Sequence, residues 1–231
     1  MTLVRDPSEA PLVRRALERL TATGAKVAVS DGGSLPEFAE FLRKLPALSL
    51  VPPDAPGLVG QVRASLREAA RAQKPFVMYT EPDKDEFFEM RLAEFVADAP
   101  EDDDVGVVLA SRDRESFATF PPFQRHTESV FNATTASLLG AEGDYCYGPC
   151  LIRSSLTQYL ERVPDTVGWG WRPFLFATAH RLGYRLVHTT RWHPCPVEQR
   201  VEHDADRLHR LRQLRQNVDG LLLALDQKPL P

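Results

Sequence analysis

Phe76-Val77-Met78-Tyr79-Thr80-Glu81-Pro82-Asp83-Lys84-Asp85 is the stretch on which the fold reading turns. An unbroken apolar and β-favouring run leads straight into three carboxylates. Such a run predicts a buried parallel strand rather than a half-exposed one. Pro82 has no N–H for a ladder, so the strand is expected to end there. Glu81, Asp83 and Asp85 then fall at its carboxyl end, where open α/β sheets bind ligands. Carboxylates two residues apart at such a point are suited to holding Mg²⁺ or Mn²⁺ against a diphosphate. The plainer reading is loop solvation and the acidic first turn of the next helix. From these residues alone both readings stand.

Working outward, the flanking segments alternate. Positions 7–23 predict a helix with Leu12, Ala16, Leu17 and Leu20 on one face, closed by Gly24. Positions 26–30 predict a strand, Asp31-Gly32-Gly33-Ser34 a tight turn, 35–45 a helix, 47–51 a strand and 57–73 a helix. Helix and strand alternating through short connections imply a parallel sheet with helices on its faces. A helix carrying Phe88, Leu92, Phe95 and Val96 follows, then a strand over 105–111. Beyond Arg112 the pattern loosens. Helices are expected over 121–140, 154–162 and 171–182, with strands at 145–152 and 184–190 and a loop over 193–200. The last element, 205–226, is an amphipathic helix in which Leu208, Leu211, Leu214, Val218, Leu221 and Leu225 recur at three or four. The fold class expected is α/β: a Rossmann-like, mostly parallel sheet with helices on both faces.

Composition narrows the function classes. The chain has 231 residues, 43% hydrophobic, enough for one sizeable core. A net charge of −4 argues against nucleic acid as a partner. The three cysteines, Cys146, Cys150 and Cys195, are too few for a disulfide framework and lack zinc spacing. They suit a reducing, cytoplasmic setting. The N-terminus has no apolar leader core, and no apolar run is long enough to cross a bilayer. Arg207, Arg210, Arg212 and Arg215 on the last helix fit an anionic acceptor, a peripheral membrane contact or simple solvation. The sequence assigns no oligomeric state.

Taken in order, several stretches resemble the GT-A glycosyltransferases, especially the family with dolichyl-phosphate mannosyltransferase-like enzymes. These are Val27-Ala28-Val29-Ser30-Asp31-Gly32-Gly33-Ser34, Gly57-Leu58-Val59-Gly60-Gln61-Val62-Arg63-Ala64, Tyr79-Thr80-Glu81-Pro82-Asp83 and Val107-Val108-Leu109-Ala110-Ser111-Arg112. Later come Asp144-Tyr145-Cys146-Tyr147-Gly148-Pro149 and the segment from His180 through Gly183-Tyr184 to Arg200. The resemblance implies one GT-A-like domain over 1–231. Within it, about 1–112 would form a nucleotide-binding half, 113–204 an acceptor-binding half and 205–226 a C-terminal helix.

By residue, the resemblance implies that Asp31 meets the nucleotide base and that Arg63, in the helix opened by Gly57, lies near the phosphates. Glu81 and Asp83 would hold the metal, with Asp85 sharing; His193 stands where a late ligand could fall, its plainer reading being a loop histidine packed between Trp192 and Pro194. Gly148 would belong to the substrate- or nucleotide-binding set. As chemical hypotheses beside the resemblance, Arg112 or an arginine of the 200–215 region, Arg200 among them, would clamp an anion, and Trp169 and Trp171 would form a platform for a sugar or lipid face or, as the commoner use of tryptophan, pack in the core. The family's first strand is cut down here to Thr2-Leu3-Val4, and its acceptor-side acid is missing from Val167-Gly168-Trp169-Gly170-Trp171-Arg172. Asp165 and Asp144 are the nearest candidates for a base. The implied reaction is metal-assisted sugar transfer from a nucleotide-diphosphate sugar to an unknown acceptor: a small molecule, a lipid phosphate or a glycan. A non-catalytic nucleotide-sugar-binding or scaffold protein, and a nucleotidyltransferase, are the alternatives.

Overall fold

A computed structural model describes residues 1–227; the last four residues of the expected domain lie outside the described ones. The chain divides into two compact units, 1–98 with 153–166, and 99–152 with 167–231.

The first unit holds α1 (Ala10–Ala22), β1 (Val27–Ser30), α2 (Pro36–Lys44), β2 (Leu48–Val51), α3 (Leu58–Ala70), β3 (Phe76–Tyr79), α4 (Asp85–Met90) and α5 (Leu92–Ala97). Strands β1 and β2 pair in parallel, with Val27 opposite Leu48 and Ser30 opposite Val51. The alternation that predicts this is simple: the helix between them presents Phe38 and Leu42 inward, onto Val4, Leu17 and Val29. Helix α3 lies against β1, β2 and β3. In place of a full first strand, Thr2 makes an isolated bridge to Asp31. The helix expected around Phe88 and Val96 is two short ones, interrupted at Arg91, where φ is −127°. Strand β3 stops at Tyr79, earlier than Pro82 requires, and its side chains alternate between buried and half-buried rather than being buried throughout.

The second unit holds β4 (Val105–Arg112), α6 (Arg114–Ala118), α7 (Pro122–Leu139), β5 (Cys150–Arg153, whose last residue belongs to the first unit), α8 (Trp171–Arg181), β6 (Arg185–Arg191) and α9 (Asp204–Asp226). All eight residues of β4 are buried, as its continuous apolar run requires. It lies between β6, which runs parallel to it, and β5, which runs antiparallel. The expectation of a single, mostly parallel sheet is therefore corrected: β1 and β2 form a pair of their own, and the sheet containing β4 is mixed. The strand expected over 145–152 shrinks to the four residues of β5, Cys150–Arg153, and 154–162 is a 3-10 helix rather than an α-helix.

Helix α8 is buried from Trp171 to Ala179, on every side. A helix apolar all round needs cover all round. Strands β4 and β6 supply it on one side and α9 on the other. Backbones meet at that crossing: a Cβ on Gly220 would lie 1.9 Å from the Gly170 carbonyl oxygen, and one on Gly170 would lie 2.1 Å from the Gln216 carbonyl oxygen. No helix among the described residues is long and apolar enough to cross a membrane.

Candidate functional site

In the first unit the candidate residues gather past the ends of β1 and β3 and along α3. Asp31 closes the turn after β1. Its Oδ2 accepts the N–H groups of Gly33 (3.1 Å) and Ser34 (2.9 Å), and its Oδ1 accepts the hydroxyls of Thr2 (2.8 Å) and Ser34 (2.5 Å). The side chain that the resemblance aims at a base is thus also the one that shapes the loop. Gln61, buried on α3, ties the same corner by donating Nε2 to the carbonyls of Thr2 (2.7 Å) and Ser30 (3.1 Å). Gly57, at φ +97°, sets the chain's entry into α3.

Glu81 belongs to this corner. Burial pushes the Met1 amino group down to about 6, against the pull of Glu81 and Asp31, so both carboxylates face the same cation. The Oε2 of Glu81 is buried and accepts no hydrogen bond. Asp83 contacts the ammonium of its neighbour Lys84 at 3.1 Å. Asp85 is buried, and its Oδ1 accepts no hydrogen bond. It opens α4 and pairs through Oδ2 with Arg15 (2.6 Å) and Arg19 (3.1 Å) of α1. Through Oδ2, Asp85 is a brace between helices. Among the described residues no group of three His, Cys, Asp or Glu side chains is placed to hold an ion. Glu81 and Asp85, each with a buried oxygen that accepts no hydrogen bond, and Asp83 are the carboxylates that could contribute to a cation whose shell is completed by phosphate oxygens and water.

Arg63 and Asp165 are brought together. Arg63 donates Nη2 to Asp165 (2.9 Å) and Nε to Asp54 (3.2 Å), and Arg67 adds Glu161 (2.8 Å) to the network. One candidate for the phosphates and one candidate base therefore neutralise each other.

In the second unit most candidates meet around one buried arginine. Arg112, the last residue of β4, donates Nε to Asp144 (2.5 Å) and Nη2 to Asp144 (3.0 Å) and Glu128 (2.6 Å). Phe120, Phe117 and Tyr147 face the guanidinium at 4.4, 4.8 and 5.6 Å from their ring centres. Burial works against the charge on Arg112, but Asp144 and Glu128 outweigh it and hold the guanidinium above its ordinary value. Burial likewise raises Asp144, and Arg112 overrides it, so the carboxyl sits below the usual range. Asp144 accepts further bonds from Asn132 (3.3 Å) and the Cys146 N–H (3.0 Å). Burial, then Glu128 and Asp144, push the Cys146 thiol well up, which makes it a packing group and not a thiolate.

Tyr147, next to the buried Gly148, carries the cluster to His193, whose ring stacks on it at 4.9 Å. The His193 N–H donates to the Ser116 hydroxyl (2.8 Å). Arg200 donates Nε to the Cys195 carbonyl (3.0 Å). The two tryptophans lie apart from this group. Trp171 is fully buried, and the Trp169 N–H donates to the Gln216 side chain of α9 (3.2 Å).

Residues that pattern reading passes over also shape the cluster. Arg172 donates to the carbonyls of Tyr147 (2.5 Å) and Cys146 (3.4 Å) and so pins the loop. Gln124, Glu128 and Asn132 stand at i, i+4 and i+8 of α7. That spacing is the available signal: it predicts a polar stripe on one face. The stripe reads as solvent-facing, yet it points at Arg112. His188 on β6 shares a hydrogen bond with the Ser111 hydroxyl (2.8 Å) and lies against the edge of Tyr145 (4.8 Å). Burial pushes its imidazole down to about 4.

Comparison with known proteins defines a class at the level of fold. The structure is similar to those of GT-A glycosyltransferases over nearly the whole chain. Glucosyl-3-phosphoglycerate synthase from Mycobacterium tuberculosis, solved with Mn²⁺, uridine diphosphate and phosphoglyceric acid, matches with a TM-score of 0.64 at 15% identity, over 98% of this chain and 77% of that one. Mannosyl-3-phosphoglycerate synthase from Rubrobacter xylanophilus matches with a TM-score of 0.63 at 14% identity, over 96% and 75% of the two chains. No protein-family model matches the sequence, and no curated protein matches it.

Proposed function

We propose that this chain is a glycosyltransferase that moves a hexose from a nucleotide-diphosphate sugar to a small anionic acceptor. The observation that carries the reading is the fold likeness to two such synthases over nearly the whole chain, with Glu81 and Asp83 just past β3. Uridine diphosphate sugars are the first donors to try, and phosphoglycerate the first acceptor, because a neighbour was solved with those molecules. The Asp31 turn would meet the base. Glu81 and Asp83 would hold a divalent ion, which neutralises charge on a leaving diphosphate. Arg200, exposed, is the arginine that an anionic acceptor would meet.

Asp165 and Asp144 are both ion-paired with arginine. The acceptor oxygen would therefore be one that needs no base from these side chains, such as a phosphate or carboxylate oxygen, or would pass its proton to an anionic group of the substrates. The same ion pairs favour a second reading, in which the chain binds nucleotide sugars without turning them over.

A nucleotide-release assay tests both. Uridine and guanosine diphosphate sugars are offered with Mn²⁺ or Mg²⁺, with and without phosphoglycerate. Release that needs metal and acceptor, and is lost in Asp83→Ala, supports transfer. Thermal stabilisation by a nucleotide without release supports the binding reading. Neither release nor stabilisation with any donor sinks both.

A further inference from the structure

We propose that α9 pairs with α9 of a second copy of this chain, antiparallel, through a face that the fold leaves uncovered. The apolar residues of α9 do not form the single stripe that a surface helix needs. Gly220, Leu221 and Ala224 are buried, and the helix packs on α7 and α8. Leu208, Leu211, Val218, Leu222 and Leu225 are instead 49, 49, 39, 51 and 37% exposed. With Arg215 they stand at 208, 211, 215, 218, 222 and 225, steps of three and four in strict alternation. That is the spacing of a two-helix seam, here about 25 Å long at 1.5 Å per residue. A second apolar face on a helix already packed inside calls for a second partner.

Charge selects the partner and its direction. The first half of the seam is flanked by Arg207 and Arg212 and contains Arg215; the second half is flanked by Asp219 and Asp226. A parallel pair would set Arg215 against Arg215. An antiparallel pair sets Leu208 against Leu225 of the partner subunit and Leu211 against Leu222 of the partner subunit. It also puts Arg212 beside Asp219 of the partner subunit, since both stand on the same flank of the seam. Flanking charges of this kind decide partner and orientation in helix pairs. The arrangement is self-complementary and closes on a two-fold axis. An anionic membrane would meet Asp219 and Asp226 along half of the same face, which disfavours it. A single seam of this length lies toward the small end of specific interfaces, so the dimer is expected to be a weak, concentration-dependent one.

Sedimentation equilibrium of the full chain from about 1 to about 200 µM reads the association directly. The weight-average mass is expected to climb from the 25.9 kDa of one chain toward twice that value. Leu211→Glu and Leu222→Glu, both at exposed positions, should each weaken association at least about tenfold with circular dichroism unchanged. Arg212→Glu and Asp219→Arg should each weaken it, and the double exchange should restore it. A monomer at every concentration overturns the proposal. So does a dimer indifferent to both leucine variants, or a double exchange no better than the singles.

Discussion

Replacing Asp144 by Ala is the most direct test of how the second unit is held. The substitution strands Arg112, whose side chain is 2% exposed, with Glu128 as its one remaining carboxylate. It also removes the acceptor for the Asn132 amide and the Cys146 N–H. Taking one partner from a buried ion pair costs about 3–5 kcal/mol, because the other charge stays buried. Asn132 keeps its bond to the Tyr145 N–H (2.9 Å), so the loop should not collapse altogether, and the lower part of that range is expected. Urea unfolding followed by circular dichroism should show the loss in the transition of this unit. Arg112→Met combined with Asp144→Leu and Glu128→Gln should be milder than Asp144→Ala alone, since no charge of the cluster is then left behind. The pH dependence follows from the depressed Asp144 carboxyl. Its contribution is complete above the unfolded carboxylate value of about 3.9 and fades as pH falls through the lower folded value. Asp144→Ala should lose that acid-side dependence. As a contrast, Asp104→Asn breaks the exposed contact with Arg185 and should leave the transition in place. A cost for Asp144→Ala below about 1 kcal/mol, or a triple variant as unstable as the sum of the singles, would refute the reasoning.

Other outcomes follow from the same structure. Gly220→Ala should destabilise the α8–α9 crossing by roughly 1–3 kcal/mol, the usual cost of overpacking, because its Cβ would meet the Gly170 carbonyl; a neutral result in thermal unfolding would mean that the crossing is looser than described. Asp85→Asn should weaken the brace between α1 and α4 by about 1–2 kcal/mol while metal-dependent nucleotide binding persists, and loss of that binding with stability intact would make Asp85 a metal ligand. His188 stays neutral in the fold to about pH 4. The unfolded imidazole charges near 6.5, so stability is complete above that value and falls as pH drops toward 4, by roughly 1–3 kcal/mol in total. A His188→Gln variant should show a flatter profile between those limits, and an unchanged slope would remove His188 as its source.

Much of the architecture can be read from the sequence because the signals are local. Alternating helix and strand periods locate β1, β2 and β4, and Gly140, left-handed at φ +68°, ends α7 where a glycine stop is expected. Features that depend on a distant partner cannot be read that way. The direction of β5 is set by its pairing with β4, which no residue of the four announces. Helix α6 is a single turn whose start rests on Asp113 accepting the Ser116 N–H (2.7 Å), a capping signal hidden behind the strand it follows. The tryptophans of Gly168-Trp169-Gly170-Trp171 look like a binding platform because aromatic residues serve both uses, whereas Gly170 admits the backbone of α9 and Gly168 its Gln216 side chain. In α9 itself the leucine period is plain, but one period cannot say that it is shared between two faces. The candidate site is legible in part for the same reason. Position past a strand singles out Glu81, Asp83 and Asp85, while Arg15 and Arg19, which pair with Asp85, come from some seventy residues earlier in the chain.

Calorimetric titration of the full chain with uridine diphosphate, with and without Mn²⁺, addresses the central claim most directly. The account predicts binding that strengthens with the metal and loses that strengthening in Glu81→Ala and Asp83→Ala, while Asp85→Asn keeps it. Binding with equal affinity in the presence and absence of Mn²⁺, or metal-dependent binding unaffected by both Glu81→Ala and Asp83→Ala, would contradict it.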